Sequence, residues 1–147
     1  MATLYLHGGM QKTGTTAIQH FLALNRTILK EQNTVFPDFS DIEHYDWVPD
    51  IRNAYWLSKR NYKKPATESF EQAVARLGEL AAQYDKIILT DEMLFGNKFG
   101  RPVFWTALKE ALAPYDITVK VVIYLRRQDD YTYSIWAQNV KALVPVP

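Results

Sequence analysis

Cysteine does not occur among the 147 residues of this chain, which excludes disulfide bonds and thiolate metal sites. No apolar run approaches the roughly 20 residues that a membrane-spanning helix needs. The chain starts directly with a β-prone segment, without the basic region and apolar core of a signal peptide. From these absences we expect a soluble, cytoplasmic protein with no membrane partner.

A strong charge of either sign is also missing, because 17 basic and 16 acidic residues leave a formal net charge of +1. This near balance argues against nucleic acid as the main partner. Hydrophobic residues make up 48% of the chain and charged residues 22%, enough for one domain, residues 1–147, with a real core. No internal repeat or low-complexity run is visible.

The first twenty residues combine a short strand, a glycine-rich turn and a helix. Residues 3–6 are β-prone, glycines and a lysine follow, and an apolar-periodic segment begins at Thr15. In a turn of this kind consecutive backbone N–H groups point inward at an anion, and the following helix adds its positive N-terminal end. This order of elements predicts a phosphate-binding loop.

The turn differs from the phosphate-binding loop of nucleoside triphosphatases, which has Gly, four residues and then Gly-Lys-Ser/Thr. Four residues separate Gly9 from Gly14, but Thr15 stands where that motif has its lysine, and the lysine of this chain is Lys12. The group that would reach a β/γ-phosphate pair is therefore missing, and the hydroxyls of Thr15 and Thr16 occupy the first helical turn. Such a loop suits a single phosphate-like end group.

The rest of the chain alternates helical and strand-like periods. We predict one helix from Thr15 to about Lys30, a helix after the N-cap Thr67, a helix opened by Pro102, and a loop bracketed by Gly96 and Gly100. Residues 38–66 are less regular. Further strands are predicted at 34–36, 86–90 and 117–125, and a last helix at 131–143. This alternation predicts a parallel α/β sheet in three layers, with helices on both faces.

Ligands of such sheets bind beyond the carboxyl ends of the strands. Lys12, Glu92 and Arg126 each lie just after a predicted strand. We therefore expect these three side chains at one edge of the sheet.

Two separated motifs resemble the sulfotransferase family. Residues 11–16, Gln-Lys-Thr-Gly-Thr-Thr, resemble the loop with which these enzymes bind the 5′-phosphosulfate of 3′-phosphoadenylyl sulfate (PAPS). Residues 124–134 resemble the segment that binds the 3′-phosphate, with Arg126, an aspartate four residues later (Asp130) and a serine eight residues later (Ser134). The two motifs occur in the order that the family has.

This resemblance implies a P-loop nucleotide-hydrolase-like fold of the sulfotransferase type. It also implies transfer of a sulfuryl group from PAPS, without a metal, to a hydroxyl or amine of a small-molecule or glycan acceptor, leaving the bisphosphate PAP. Lys12 would contact the oxygen that bridges sulfate and phosphate. The nucleotide-binding residues implied are Gln11, Lys12, Thr13, Gly14, Thr15, Thr16, Arg126 and Ser134.

The acceptor must lose a proton to a general base, for which three residues are candidates. Alignment with the heparan-type members brings Glu43 and His44 onto an acidic stretch of the family. In the cytosolic members a histidine follows the third strand, where this chain has Asp91 and Glu92. Because histidine titrates near neutral pH, we rank His44 first, Glu92 second and Glu43 third.

Two other functions are compatible with the motifs: a P-loop nucleotide kinase or triphosphatase, and a non-catalytic, truncated module that binds PAP. Members of the family continue beyond the equivalent of Pro147, and nothing here matches their glycine-containing loop over the adenine. We therefore expect the domain to be incomplete at its C-terminus and its sheet to expose an apolar face or edge. The acceptor and the oligomeric state stay open.

Overall fold

The computed structural model describes residues 1–9, 13–42 and 51–143. Strands and helices alternate along these ranges. In chain order they are β1 (Ala2–His7), α1 (Thr15–Leu24), α2 (Arg26–Glu31), β2 (Thr34–Val35), α3 (Tyr55–Lys59), α4 (Glu68–Ala81), β3 (Lys86–Thr90), a π-helical turn (Phe95–Phe99), α5 (Pro102–Leu112), β4 (Ile117–Val122) and α6 (Gln128–Leu143).

The strands of the described chain form one sheet in the order β2-β3-β1-β4, and every neighbouring pair is parallel. The predicted α/β architecture with a parallel sheet flanked by helices is therefore confirmed. β1 lies between β3 and β4, and its last residue, His7, is opposite both Thr90 and Val122. The segments that leave β1, β3 and β4 consequently start side by side at the carboxyl edge.

Local sequence signals account for two of the helices. Thr67 caps α4 as predicted, because its side chain accepts a hydrogen bond of 3.3 Å from the backbone N–H of Phe70. Pro102 is the first residue of α5, where its missing N–H is not needed and its fixed φ suits the helix.

The prediction of one continuous helix from Thr15 to about Lys30 is wrong, because the chain breaks at Asn25. The backbone of Asn25 leaves helical geometry (φ −104°, ψ 18°), and its side-chain amide donates to the Phe21 carbonyl at 2.7 Å. A short amide side chain can compete in this way with the helical hydrogen bonds of the backbone.

Three further boundaries differ from the prediction. Residues 95–99 form a π-helical turn instead of a loop. β4 ends at Val122 instead of Leu125, because its partner β1 ends at His7, opposite Val122. α6 begins at Gln128, three residues earlier than predicted, and acidic residues in its first turn suit the positive end of the helix.

The core lies around β1 and β3, whereas the side formed by β4 and α6 is open. Leu4 and Leu6 of β1 and Leu89 of β3 are completely buried. By contrast, Val121 on β4 and Trp136 on α6 expose large apolar surfaces. None of the helices in the described ranges is both long enough and apolar enough to cross a bilayer.

Candidate functional site

Among the described residues, no side chain caps the N-terminus of α1. Gly14 precedes the helix with φ +82°, a left-handed conformation that glycine adopts without strain. Gly9 is packed closely, since a Cβ on it would lie 2.7 Å from Thr15 Cγ2 and 2.8 Å from Thr13 Oγ1. The first N–H groups of α1 have no intrahelical acceptors and are therefore suited to an anion.

A buried polar network holds α1 against the sheet beneath this turn. His7 Nδ1 lies 2.7 Å from Thr90 Oγ1, joining the last residues of β1 and β3. Gln19 of α1 donates from Nε2 to the same hydroxyl at 3.4 Å. Burial lowers the pKa of His7, so this imidazole stays neutral at pH 7. The network fixes the helix start relative to the strand ends.

A second network fixes the turn after β3. Asp91 is completely buried and accepts hydrogen bonds from Arg52 at 2.7 Å, from Ser58 at 3.0 Å and from the Met93 N–H at 2.8 Å. Burial raises the pKa of Asp91, and the Arg52 guanidinium opposes that shift. Because Asp91 is completely buried and already accepts from three donors, we assign it a structural role, in which it positions its neighbour Glu92.

Glu92 connects the turn after β3 with the start of α1. The buried Thr15 hydroxyl donates to Glu92 Oε2 at 3.3 Å. Thr16, the next residue of α1, is exposed, so the two threonines of the motif have different surroundings. The carboxylate and the helix N-terminus thus share one side of the sheet edge.

Residues that follow β4 form the opposite wall. Arg126 lies in the segment between β4 and α6, and Gln138 follows Ser134 four positions later in α6. Residues four apart lie on the same face of a helix. The neighbouring Arg127 is exposed and pairs with Asp129.

These three segments enclose one cavity of about 400 Å³, the size of a small-molecule site. Its lining brings together six residues that the sequence analysis had selected and one, Gln138, that it had not. The lining residues are Gly14, Thr15, Thr16, Glu92, Arg126, Ser134 and Gln138.

The other selected residues do not line the cavity or are outside the described part of the chain. Thr13 is half-buried in the turn, packed near Gly9. Gln11 and Lys12, and likewise Glu43 and His44, lie outside the described residues. Of the three candidate bases, Glu92 is therefore the one that the described residues place in the cavity.

The sequence contains a pattern that predicts Gln138 as a site residue, although the sequence analysis did not select it. It follows Ser134 by four residues in a segment predicted as helix, so both side chains share one face. A ligand that contacts Ser134 on that face therefore lies close to Gln138.

Neither a scan against models of protein families nor a search of curated proteins found a match for this chain. Within residues 1–9, 13–42 and 51–143, no three His, Asp or Glu side chains lie close enough together to hold a metal ion.

Proposed function

We propose that this chain is a sulfotransferase that moves a sulfuryl group from PAPS to a hydroxyl or amine acceptor, on a three-layer, P-loop-like fold. The observation that supports this proposal best is the shared cavity. Two motifs more than a hundred residues apart in sequence, represented by Thr15 and Ser134, line the same 400 Å³ space. A nucleotide with phosphate groups at both its 5′ and 3′ positions needs two anion-binding sites that line one cavity.

The α1 end of the cavity would hold the 5′-phosphosulfate. Its open N–H groups and partial positive charge favour an anion, and the exposed Thr16 offers a hydroxyl that is not buried in the core. By the resemblance, Gln11, Lys12 and Thr13 complete this subsite, and Lys12 neutralises charge on the bridging oxygen.

The α6 end would hold the 3′-phosphate. Arg126 offers a planar, permanently charged fork that suits a phosphate dianion, and Ser134 adds a hydroxyl from the first turns of α6. The Gln138 amide, one turn further on, gives a neutral donor and acceptor that suits a sugar hydroxyl or a base edge.

The reaction is an in-line displacement at sulfur. The acceptor oxygen or nitrogen forms a bond to sulfur while the bond from sulfur to the bridging oxygen breaks, and PAP leaves with that oxygen. The acceptor's proton passes to a general base. Glu92 lines the cavity, and His44 and Glu43 are the other candidates for this role.

One feature of the cavity favours the second candidate, a nucleotide kinase or triphosphatase. In P-loop enzymes Mg²⁺ is held by the loop Ser/Thr and an acidic residue of a neighbouring strand, and here Thr16, which stands at that Ser/Thr position, lines the same cavity as Glu92. Against it stands Thr15 at the position of that motif's lysine. A bound ATP would therefore lack the usual cation at its β/γ-phosphates.

Calorimetric titration separates these candidates. We expect PAP to bind more tightly than ATP and with the same affinity in EDTA and in Mg²⁺. Inorganic sulfate should compete weakly, because it fills one of the two anion subsites. Tighter ATP binding that depends on Mg²⁺ would contradict the proposal and support the kinase or triphosphatase.

Turnover of labelled PAPS with a panel of acceptors tests catalysis and the base. Replacement of the true base should lower turnover by about 10²–10⁴ and leave PAP affinity nearly unchanged. Glu92→Gln and His44→Ala are compared in the same assay, and the variant that loses turnover identifies the base. PAP binding without turnover of any acceptor would instead support the non-catalytic module.

A further inference from the structure

A second cavity, about 340 Å³ in volume, lies away from the first and is lined by cationic side chains. Two segments supply them: the residues at and after the end of α3, and the π-helical turn with the start of α5. The cationic residues are Lys59, Arg60, Lys63, Lys98 and Arg101. No carboxylate occurs among the residues of the described chain that line this cavity.

Most of these charges are not neutralised by carboxylates of the described residues. In the described ranges Arg60, Lys63, Lys98 and Arg101 form no ion pair with a carboxylate. Lys98 Nζ donates instead to the backbone carbonyl of Arg60 at 2.8 Å. Burial and the nearby Arg101 lower the pKa of Lys98, as expected for an ammonium group among uncompensated like charges.

Three of the five arginines elsewhere in the described chain are paired with carboxylates. Arg52 pairs with Asp91, Arg76 with Asp41, and Arg127 with Asp129. The excess of positive charge at the second cavity is thus a local property, in a chain whose formal net charge is only +1.

Aromatic rings hold Arg60 in place. The Arg60 guanidinium carbon lies 3.8 Å from the centre of the Phe70 ring and 4.6 Å from that of Tyr62, within cation–π range. Tyr62 packs edge-to-face on Phe104, with ring centres 5.2 Å apart. Within the described residues, Arg60 Nε is buried without a hydrogen-bond partner. The Arg60 side chain is therefore positioned by packing before any ligand binds.

An adjoining cavity of about 220 Å³ extends the charged surface. It shares Lys59, Arg60 and Asn61 with the cavity of about 340 Å³ and adds Lys64. Together the two depressions can accept a ligand with more than one anionic group, and their volumes suit a small molecule.

We propose that this cationic cavity binds a small molecule that carries two or more sulfate, phosphate or carboxylate groups. The inference goes beyond the proposed function and does not rest on it, because no residue is shared with the first cavity. One segment links the two sites: the residues from Glu92 to Lys98 run from the lining of one into the lining of the other.

Calorimetry on the whole chain with three probes, sucrose octasulfate, inositol hexakisphosphate and citrate, tests the proposal. We expect at least one probe to bind, and the strongest identifies the preferred anion. The double variant Lys63→Gln/Arg101→Gln removes two exposed cations of the cavity and should weaken that probe by about tenfold or more, the scale for contacts to charged groups.

A matched control, Lys30→Gln/Lys109→Gln, removes two exposed cations from α2 and α5 outside the cavity and should change the affinity less than about twofold. Because the proposed function gives the first cavity anion subsites as well, probe binding is also measured with Arg126→Ala, and the loss caused by Lys63→Gln/Arg101→Gln should be the same on that background. The proposal is overturned by binding of none of the probes, by equal losses in the two double variants, or by a loss that disappears on the Arg126→Ala background.

Discussion

The β1–β3 half and the β4–α6 half of this molecule are packed very differently. Leu6 and Leu89, at the centre of the first half, are 0% exposed, whereas Leu125 and Trp136 in the second half are 70% and 58% exposed. Local stability follows the number of buried apolar contacts. A residue in the first half should therefore contribute more to the unfolding free energy than a residue in the second half.

This difference divides the candidate site. The start of α1 and Glu92 belong to the packed half, where buried networks through His7 and Asp91 hold them. Arg126 and Ser134 belong to the segment and helix that follow the exposed strand β4. The 5′ end of the proposed nucleotide site is thus prearranged, and its 3′ end depends on an element with little packing behind it.

The largest expected effect tests the packing contrast itself. Leu89→Ala removes a completely buried side chain and should lower the unfolding free energy by about 2–5 kcal/mol, because a cavity is left behind. Trp136→Ala, at an exposed position of α6, should change it by no more than about 0.5 kcal/mol. Urea unfolding of both variants provides the measurement, and equal losses would show that α6 is as firmly packed as the core.

The next effect concerns the 3′ end of the site. Arg126→Ala should weaken PAP binding by about 1.5–3 kcal/mol, because a charged hydrogen-bonding partner of the 3′-phosphate is lost. Binding of adenosine 5′-phosphosulfate, which has no 3′-phosphate, should hardly change. Arg127→Ala is the control, since Arg127 is exposed and pairs with Asp129. Equal losses for both ligands on calorimetric titration would make Arg126 a structural residue.

A somewhat smaller effect is expected at the 5′ end. Gly9→Ala places a methyl group 2.7 Å from Thr15 Cγ2, so the turn must shift, at a cost of about 1–3 kcal/mol for such overpacking. PAP and adenosine 5′-phosphosulfate should both bind more weakly. Gly96→Ala meets no atom within 4 Å and should leave both affinities unchanged. Unaltered binding in Gly9→Ala would show that the turn is less rigid than its packing indicates.

The smallest effect is a pH dependence that arises in the packed half. Burial lowers the pKa of His7 in the folded state, so the unfolded chain, with a histidine pKa of about 6.5, binds more protons. The unfolding free energy should therefore fall as pH decreases below about 6.5, by no more than about 1.4 kcal/mol per pH unit.

Urea unfolding at several pH values checks this. His7→Asn should reduce the slope, because an amide does not titrate, while the exposed His20 gives the control variant His20→Asn, which should retain the slope. The same slope in His7→Asn and the parent would assign it to another group.

Features predicted correctly from the sequence were those set by neighbours along the chain. The Thr67 cap needs only Phe70, three residues away, and the β-branched run at Ile117–Val122 favours a strand in any sheet. The break at Asn25 and the end of β4 were missed. The second of these depends on where the partner strand stops, which no local pattern contains.

The site divides in the same way. The sequence by itself determined that a glycine turn precedes the first helix. It also determined that a short connection and the start of the last helix join Arg126 to Ser134. Only the tertiary structure decided that Thr15 meets Glu92, 77 residues further on, and that the cations of two distant segments share one cavity. Such contacts follow from the strand order β2-β3-β1-β4, and that order arises from how buried faces pack together, which the periodicity of single segments does not specify.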